Sequence, residues 1–170
     1  STLDKKISEA KEKGNDKKAA RLESRKANNN SQIGELNKGI DEVQALGDTK
    51  DYTFTYTQVS SDNNHVTLLK DGEKPLISLE FSTDALALHE SRHAYQYITE
   101  VKSSGRMVFD QNNNNYLGYK KQSFMIWYET AAYQLQYSFS NSSLPVNASG
   151  FYGINKDWLK SIPNNPYKIP

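Results

Sequence analysis

The stretch Asp84-Ala-Leu-Ala-Leu-His-Glu-Ser-Arg-His-Ala-Tyr-Gln-Tyr97 concentrates the chemistry of this 170-residue chain. Side-chain oxygens at residues 82–84 are suitable N-caps, and no Gly or Pro follows before Val101, so the stretch predicts a helix. Residues 86–88 are apolar at successive positions around that helix. The helix is therefore expected to be buried just before its two histidines.

Within this helix, the pattern His89-Glu90-x-x-His93 places three reactive side chains close together. Residues four apart are separated by about 40° around a helix, so both imidazoles lie on one face and can reach one metal ion. Glu90 projects about 80° from the middle of that face, where it suits a general base acting on a metal-bound water. Closed structural zinc sites usually use thiolates, and the chain has no cysteine. The pattern predicts a catalytic zinc site; the alternative is a core helix with two hydrogen-bonded histidines.

A third zinc ligand has to come from another element. Glu129 is the first candidate, because it is a lone carboxylate in the largely apolar helical run 123–137 and needs a partner there. The small residues 130–132 would let this helix approach the first closely. Asp110 is the second candidate. The alternative for Glu129 is a salt bridge between helices, with Arg92 as the partner.

The motif and Glu129 together resemble the zincin metallopeptidases, and a glutamate as third ligand is similar to the gluzincin branch. The longer pattern His-Glu-x-x-His-Ala-Tyr-Gln, followed by Glu-x-x-Ala-Tyr at 129–133, resembles small bacterial metallopeptidase domains attached to toxins and secreted proteins. The resemblance covers roughly residues 75–137. It implies a zincin-like domain in which a small sheet roofs the cleft and its edge strand pairs with an extended peptide.

The reaction expected from these residues is zinc-dependent hydrolysis of a peptide bond. Glu90 would take the proton of the attacking water and deliver it to the leaving amine. Tyr133, one turn after Glu129, is the first candidate for a donor to the oxyanion, and Arg92 is the second. Packing or support of the ligands is the alternative role for both. The alternative function is a non-catalytic zinc-containing binding or interaction module.

Upstream of the motif, the sequence predicts a small antiparallel sheet of about three strands. Residues 52–59 alternate aromatic residues with threonines, and residues 66–69 and 76–81 flank a hairpin signal at Asp71-Gly72. The last strand runs directly into the motif helix. His65, at the start of a strand, is expected to be an isolated exposed histidine.

The first 48 residues predict a helical hairpin, and residues 49–170 predict the zincin-like domain of an α+β fold. The turn of the hairpin is expected at Asn28-Asn-Asn30, with a helix capped near Ser31. Apolar residues follow at helical spacing: Ile33, Leu36, Ile40, Val43 and Leu46. The hairpin either packs on the second domain or acts as a spacer.

The sequence also predicts the structure of two later segments. The polar stretch 111–116 is expected to border the cleft, as a lid or as a surface loop. Residues 154–162 predict a short helix that docks through Trp158 and Leu159, and the Pro-rich residues 163–170 predict an extended tail.

Composition indicates which environments and partners to expect for the chain. No run of 18 apolar residues occurs, so no transmembrane helix is predicted. Residues 1–28 carry nine Lys or Arg and five Asp or Glu, but mixed charges without interleaved aromatics favour a solvated helix over a nucleic-acid site. Eleven tyrosines and many Asn and Ser residues indicate an exported bacterial protein, secreted, periplasmic or surface-anchored. Its expected partner is a peptide or protein substrate, and the sequence does not predict an oligomeric state.

Overall fold

The computed structural model describes residues 1–60, 63–100, 104–164, 166 and 167. Over these residues the chain is α+β, as predicted, with five α-helices and one mixed five-stranded sheet. The helices are α1 (Thr2–Glu12), α2 (Asp16–Asp48), α3 (Asp84–Glu100), α4 (Gln122–Phe139) and α5 (Lys156–Ser161). The strands are β1 (Thr53–Gln58), β2 (His65–Lys70), β3 (Leu76–Phe81), β4 (Met107–Asp110) and β5 (Tyr116–Tyr119). Two single-turn 3-10 helices cover Asn141–Ser143 and Phe151–Gly153.

The N-terminal helices form a hairpin, but its turn lies earlier than the sequence predicts. Gly14, with a φ of +63°, makes the turn between α1 and α2, and Asn15 caps α2 by accepting from the backbone N–H of Lys18. The expected turn at residues 28–30 is wrong, because α2 continues through it. Asn28 uses its side-chain oxygen to accept from the backbone N–H of Phe151 at 2.7 Å, so a tertiary contact replaces the local turn.

The face that α2 turns towards the rest of the protein also differs from the predicted apolar stripe. Ile33 and Ile40 are 58% and 62% exposed, whereas Gly39 and Glu42 are buried together with Leu46. At Gly39 an added Cβ would lie 2.5 Å from a methyl carbon of Leu135, so glycine allows α2 and α4 to approach closely. Helix α2 packs on both α3 and α4. A domain boundary after residue 48 stays a prediction.

The sheet has five strands in the order β1-β3-β2-β5-β4, rather than three antiparallel strands. The predicted hairpin at residues 71–72 is confirmed, since β2 and β3 are antiparallel neighbours. Strand β1 instead pairs in parallel with β3, which makes the sheet mixed. Strands β4 and β5 were missed because each has only four residues. The polar residues between them form the exposed turn of that hairpin.

Helices α3 and α4, which carry the motif and Glu129, pack against each other. Both helices form where the sequence predicts them; Thr83 caps α3 by accepting from the backbone N–H of Leu86, and Val101 lies outside the described residues. Residues from α2, β2, β3 and α3 form one core cluster: Leu46, Val66, Ile77, Leu79 and Ala94. This packing joins the sheet to the back of α3 and so positions the motif.

The C-terminal segment packs on α4. Trp158 and Leu159 of α5 are buried in a second core cluster, as predicted. The predicted extended tail is wrong for the part that the structure describes, because residues 163, 164, 166 and 167 turn back and Tyr167 contacts Tyr133. Residues 165 and 168–170 of that tail lie outside the described residues. In the described part of the chain, no helix has both the length and the apolar character needed to cross a bilayer.

Candidate metal centre

His89, His93 and Glu129 come together in a buried cluster between α3 and α4. The Nε2 atoms of the two histidines are 3.0 Å apart. Glu129 Oε2 lies 3.5 Å from Nε2 of His89, and Glu129 Oε1 lies 3.6 Å from Nε2 of His93. The helical spacing of the motif thus puts two nitrogen donors on one face of α3, and α4 adds a carboxylate from the facing helix. These three side chains could hold a metal ion.

The geometry of the cluster fits a small divalent ion. Ligands about 2.0 Å from a tetrahedral ion are separated by about 3.3 Å, which is close to the spacings between these donor atoms. Glu129 Oε2 is buried and has no hydrogen-bond partner among the described residues. An unpartnered carboxylate oxygen is costly to bury, and a metal bond is one way to satisfy it.

Asp110, the second candidate for the third ligand, lies elsewhere. It is exposed at the end of β4, and its side chain accepts the backbone N–H of Asn112 at 2.9 Å. Its carboxylate therefore stabilises the turn that follows β4. Glu129 is the acidic residue that the fold brings to both histidines.

Three further polar side chains contact the cluster, and the sequence analysis missed all of them. Gln136 Oε1 lies 2.9 Å from Nδ1 of His89, and Gln96 Oε1 lies 3.0 Å from Nδ1 of His93. The hydroxyl of Tyr119, on β5, donates to Glu129 Oε1 at 3.0 Å and lies 3.2 Å from Nδ1 of His93. Such contacts orient metal ligands and fix their protonation.

Electrostatics couple Glu129 to the histidines. Burial alone would raise the pKa of Glu129, but the charge of His93 and the proximity of both imidazoles outweigh it and hold that pKa well below its usual range. Burial likewise opposes the charged form of His93, yet the carboxylate of Glu129 raises the pKa of His93 to about 9. Without a metal ion, His93 therefore carries a proton beside the ionised carboxylate of Glu129.

Glu90 lines the cleft next to the two histidines and is buried. Burial raises the pKa of Glu90, while the charges of His89 and His93 oppose that rise. A carboxylate with a raised pKa is a better proton acceptor near neutral pH than an exposed one. Glu90 can therefore exchange a proton with a group that enters the cleft.

The cleft beside the cluster has a volume of about 270 Å³ and contains Tyr133 and Tyr167. The ring of Tyr133 packs edge-on against His89 with 4.5 Å between centroids, and its hydroxyl lies 2.6 Å from that of Tyr167. Burial raises the pKa of Tyr133, so its hydroxyl stays protonated and can donate a hydrogen bond. The position of Tyr133 suits the donor role predicted for it, and that role stays a prediction.

The sheet contributes one wall of the cleft. The strand residues in this wall are His65, Val66, Leu117 and Tyr119, which come from the inner strands β2 and β5. Pairing of an edge strand with an extended peptide stays a prediction. His65 is half-buried and stacks on Tyr116 with 4.0 Å between ring centroids, rather than being an isolated exposed histidine. Burial lowers the pKa of His65, and Glu80 opposes that shift. Residues 111–115 form the turn between β4 and β5 and are not among the residues that line the cleft, and Tyr116 contacts the lining residue His65. A role of this segment as a lid stays a prediction.

Arg92 faces away from the cleft, which corrects its assignment as an oxyanion donor. Its side chain is 1% exposed and points towards α2, where Nη1 lies 2.6 Å from Glu35 and Nε contacts Glu42. Nη1 also approaches the backbone oxygen of Ala131 on α4 at 3.5 Å. Arg92 therefore joins three helices, and its partners are on α2 rather than at Glu129.

Gln96 and Gln136 carry little signal in the sequence, since a glutamine inside a helix is usually exposed. Gln96 lies three residues after His93, and Gln136 lies seven residues after Glu129, which is two helical turns. Both positions share a face with a metal ligand, and this spacing was the available signal. No such signal pointed to Tyr119, because strand β5 was not predicted.

Comparisons of the chain with protein-family models, with curated proteins and with solved structures found no significant match. The function has to be inferred from the cluster and the cleft.

Proposed function

We propose that this protein is a zinc-dependent metalloendopeptidase with a zincin-like site, in which His89, His93 and Glu129 hold the metal. The buried cluster of two Nε2 atoms and a carboxylate, with one carboxylate oxygen unpartnered, is the observation that carries the proposal. Glutamate as third ligand corresponds to the gluzincin-like arrangement expected from the sequence.

The donor set favours zinc over magnesium and calcium. Two imidazole nitrogens and one carboxylate oxygen match the ligands of hydrolytic zinc sites, whereas magnesium and calcium prefer oxygen donors throughout. Zinc at this position would supply Lewis acidity to a carbonyl oxygen and lower the pKa of water.

Glu90 is the proposed general base. It accepts a proton from water as the water oxygen bonds to the carbonyl carbon of the scissile peptide. When the carbon–nitrogen bond breaks, Glu90 returns the proton to the leaving nitrogen, so that the products are one carboxylic acid and one amine. The burial that raises the pKa of Glu90 suits both halves of this transfer.

Tyr133 is the proposed donor to the carbonyl oxygen, which gains negative charge as water adds. Its ring lies against His89, and its phenol stays protonated because its pKa is raised. A hydrogen bond that strengthens as the oxygen becomes charged lowers the barrier.

The remaining walls of the cleft suit an uncharged stretch of peptide chain. Once Glu90 and Glu129 have been assigned, the described lining consists of tyrosines, His65 and neutral side chains such as Asn64 and Leu117. A volume of about 270 Å³ lies just below the range of pockets that enclose whole small molecules. Such a space fits the few atoms around one peptide bond of a longer substrate.

The test is cleavage of a fluorescently quenched, unfolded protein by zinc-loaded enzyme. Wild type and the control Glu73→Gln, which changes an exposed carboxylate on the β2–β3 turn, should cleave it at equal rates. Glu90→Gln should keep one equivalent of zinc and lose about 10²–10⁴-fold in turnover. If wild type binds zinc but cleaves none of several unfolded proteins, the protein is a zinc-containing binding module and the enzymatic proposal fails.

A further inference from the structure

Each imidazole of the cluster contacts a buried carboxamide through its Nδ1 atom. Gln136, on α4, contacts His89, and Gln96, on α3, contacts His93. A carboxamide has a donor end and an acceptor end, so the effect on the histidine depends on which end faces the ring. The orientation of each carboxamide is set by its other contact.

Both other contacts are to backbone carbonyls. Gln136 Nε2 donates to the carbonyl of Ser143 at 2.8 Å, and Gln96 Nε2 donates to the carbonyl of Tyr128 at 3.4 Å. Because a carbonyl oxygen only accepts, the amide nitrogen must face it and the amide oxygen must face the imidazole. The Nδ1 atom of each neutral ring therefore carries the proton.

With Nδ1 protonated, both Nε2 atoms carry lone pairs that point at the same place. These atoms are 3.0 Å apart, so neither neutral ring can satisfy the other with a hydrogen bond. Glu129 adds a third acceptor beside them. A metal ion between the three groups would bind these lone pairs and remove the repulsion between them.

We propose that Gln96 and Gln136 are positioning residues, which fix the histidine tautomers so that both Nε2 atoms are available to a metal ion. This inference rests on the metal-binding part of the proposed function and is independent of hydrolysis. Tyr119 assists at His93 only, since its oxygen also lies within reach of Nδ1 there. His89 relies on Gln136, whose anchor Ser143 is held in turn by a hydrogen bond from its hydroxyl to the carbonyl of Ser140 at 2.6 Å.

The experiment measures zinc affinity by competition with a coloured chelator. Gln96→Met and Gln136→Met keep the side-chain length and remove the acceptor, and each should weaken zinc binding by about 10–100-fold. Gln134→Met is the matched control: Gln134 also lies on α4 and donates to a backbone carbonyl, that of Ile154, and it should bind zinc as wild type does.

A second measurement reads the tautomers directly. Long-range proton–nitrogen NMR of the zinc-loaded wild type should show protonated Nδ1 and zinc-bound Nε2 in both rings. In Gln136→Met, the Nδ1 proton of His89 should broaden through exchange with solvent while that of His93 is retained. A side chain that only fills space would leave these signals unchanged.

The proposal is overturned if either methionine variant binds zinc as tightly as Gln134→Met, or if NMR shows zinc on Nδ1. If a methionine variant fails to fold, zinc on Nδ1 in the wild-type spectrum would still overturn the proposal, and the other methionine variant would still test it. The proposed function fails separately, at an earlier step, if wild type binds no zinc. If wild type binds zinc but cleaves no peptide, only the proposed hydrolysis fails, and the zinc affinities of the glutamine variants still test the positioning role.

Discussion

The Nε2 atoms of His89 and His93 lie 3.0 Å apart, and each also lies within reach of a Glu129 oxygen, at 3.5 Å and 3.6 Å respectively. This arrangement brings three acceptor atoms from two helices to one point in a buried region. It is stable only if a proton or a metal ion neutralises it. A proton and a metal ion therefore compete for this point.

Replacement of Glu129 should remove the metal. Glu129→Gln keeps the size of the side chain but loses the charge, so zinc affinity should fall by at least about 100-fold, more than for an outer contact. Asp110→Asn is the control, because Asp110 contacts only its own turn among the described residues and should leave zinc binding unchanged. Metal content after dialysis measures both. Equal zinc content in Glu129→Gln and wild type would show that the third ligand is another group.

Zinc binding should release a proton at neutral pH. With a pKa of about 9, His93 is protonated at pH 7 in the metal-free protein, and zinc must displace that proton. The apparent zinc affinity should therefore rise by about tenfold per pH unit between pH 7 and pH 9 and then level off. Calorimetric titrations in buffers of different ionisation enthalpy count the protons. An affinity that does not change over this range would contradict the coupling of His93 to Glu129.

The metal-free protein should also lose stability as the pH rises. The folded pKa of His93 lies above its ordinary value of 6.5, so the stabilisation from its pairing with Glu129 is complete below about pH 6.5 and disappears as the pH passes through about 9. The midpoint of urea denaturation should fall over this window in wild type. In His93→Gln that fall should be much smaller, and an equal fall in both proteins would assign it to other groups.

Arg92 should matter for folding rather than for the reaction. Arg92→Met leaves Glu42, which is 3% exposed, without the cation that opposes the burial-raised pKa of its carboxyl. The loss should reduce the free energy of unfolding by about 3–5 kcal/mol. Lys11→Met, which breaks an exposed ion pair with Glu23, is the control and should cost far less. Urea denaturation of the metal-free proteins measures both, and similar losses would contradict the role of Arg92 as a link between helices.

Tyr133 should affect turnover without affecting the metal. Tyr133→Phe removes the hydroxyl that we propose as a donor to the charged oxygen, so kcat should fall by about 10²–10³-fold while zinc affinity stays constant. Phe139→Leu, at an exposed position on the same helix, is the control and should be neutral. A kcat for Tyr133→Phe within twofold of wild type would leave the hydroxyl with a packing role against Tyr167.

The three residues of the cluster were predictable because each follows from the pattern of its own helix. Helical periodicity puts His89 and His93 on one face, and a lone carboxylate in the apolar run of α4 requires a partner. Gln136 could not be paired with His89 from the sequence, since 47 residues separate them and contact depends on how α3 and α4 pack. Tyr119 was missed for a similar reason, because it lies on a four-residue strand whose neighbours give it its position.

Helix α2 shows where hydrophobic patterning misleads. Ile33 and Ile40 mark the apparent core face, yet they are exposed, because the buried ion pair of Glu42 with Arg92 and the close approach at Gly39 determine how the helix is rotated. A buried carboxylate looks like a surface residue until its partner is known. The sequence therefore predicted the α+β class and the two site helices, but it did not predict how α2 supports them.

Anomalous X-ray scattering at the zinc absorption edge, measured on crystals of the zinc-loaded protein, would locate the metal ion. We expect one strong peak between α3 and α4, about 2.0–2.2 Å from Nε2 of His89, Nε2 of His93 and a carboxylate oxygen of Glu129. No peak at this cluster, or a zinc ion bound there without Glu129, would contradict this expectation.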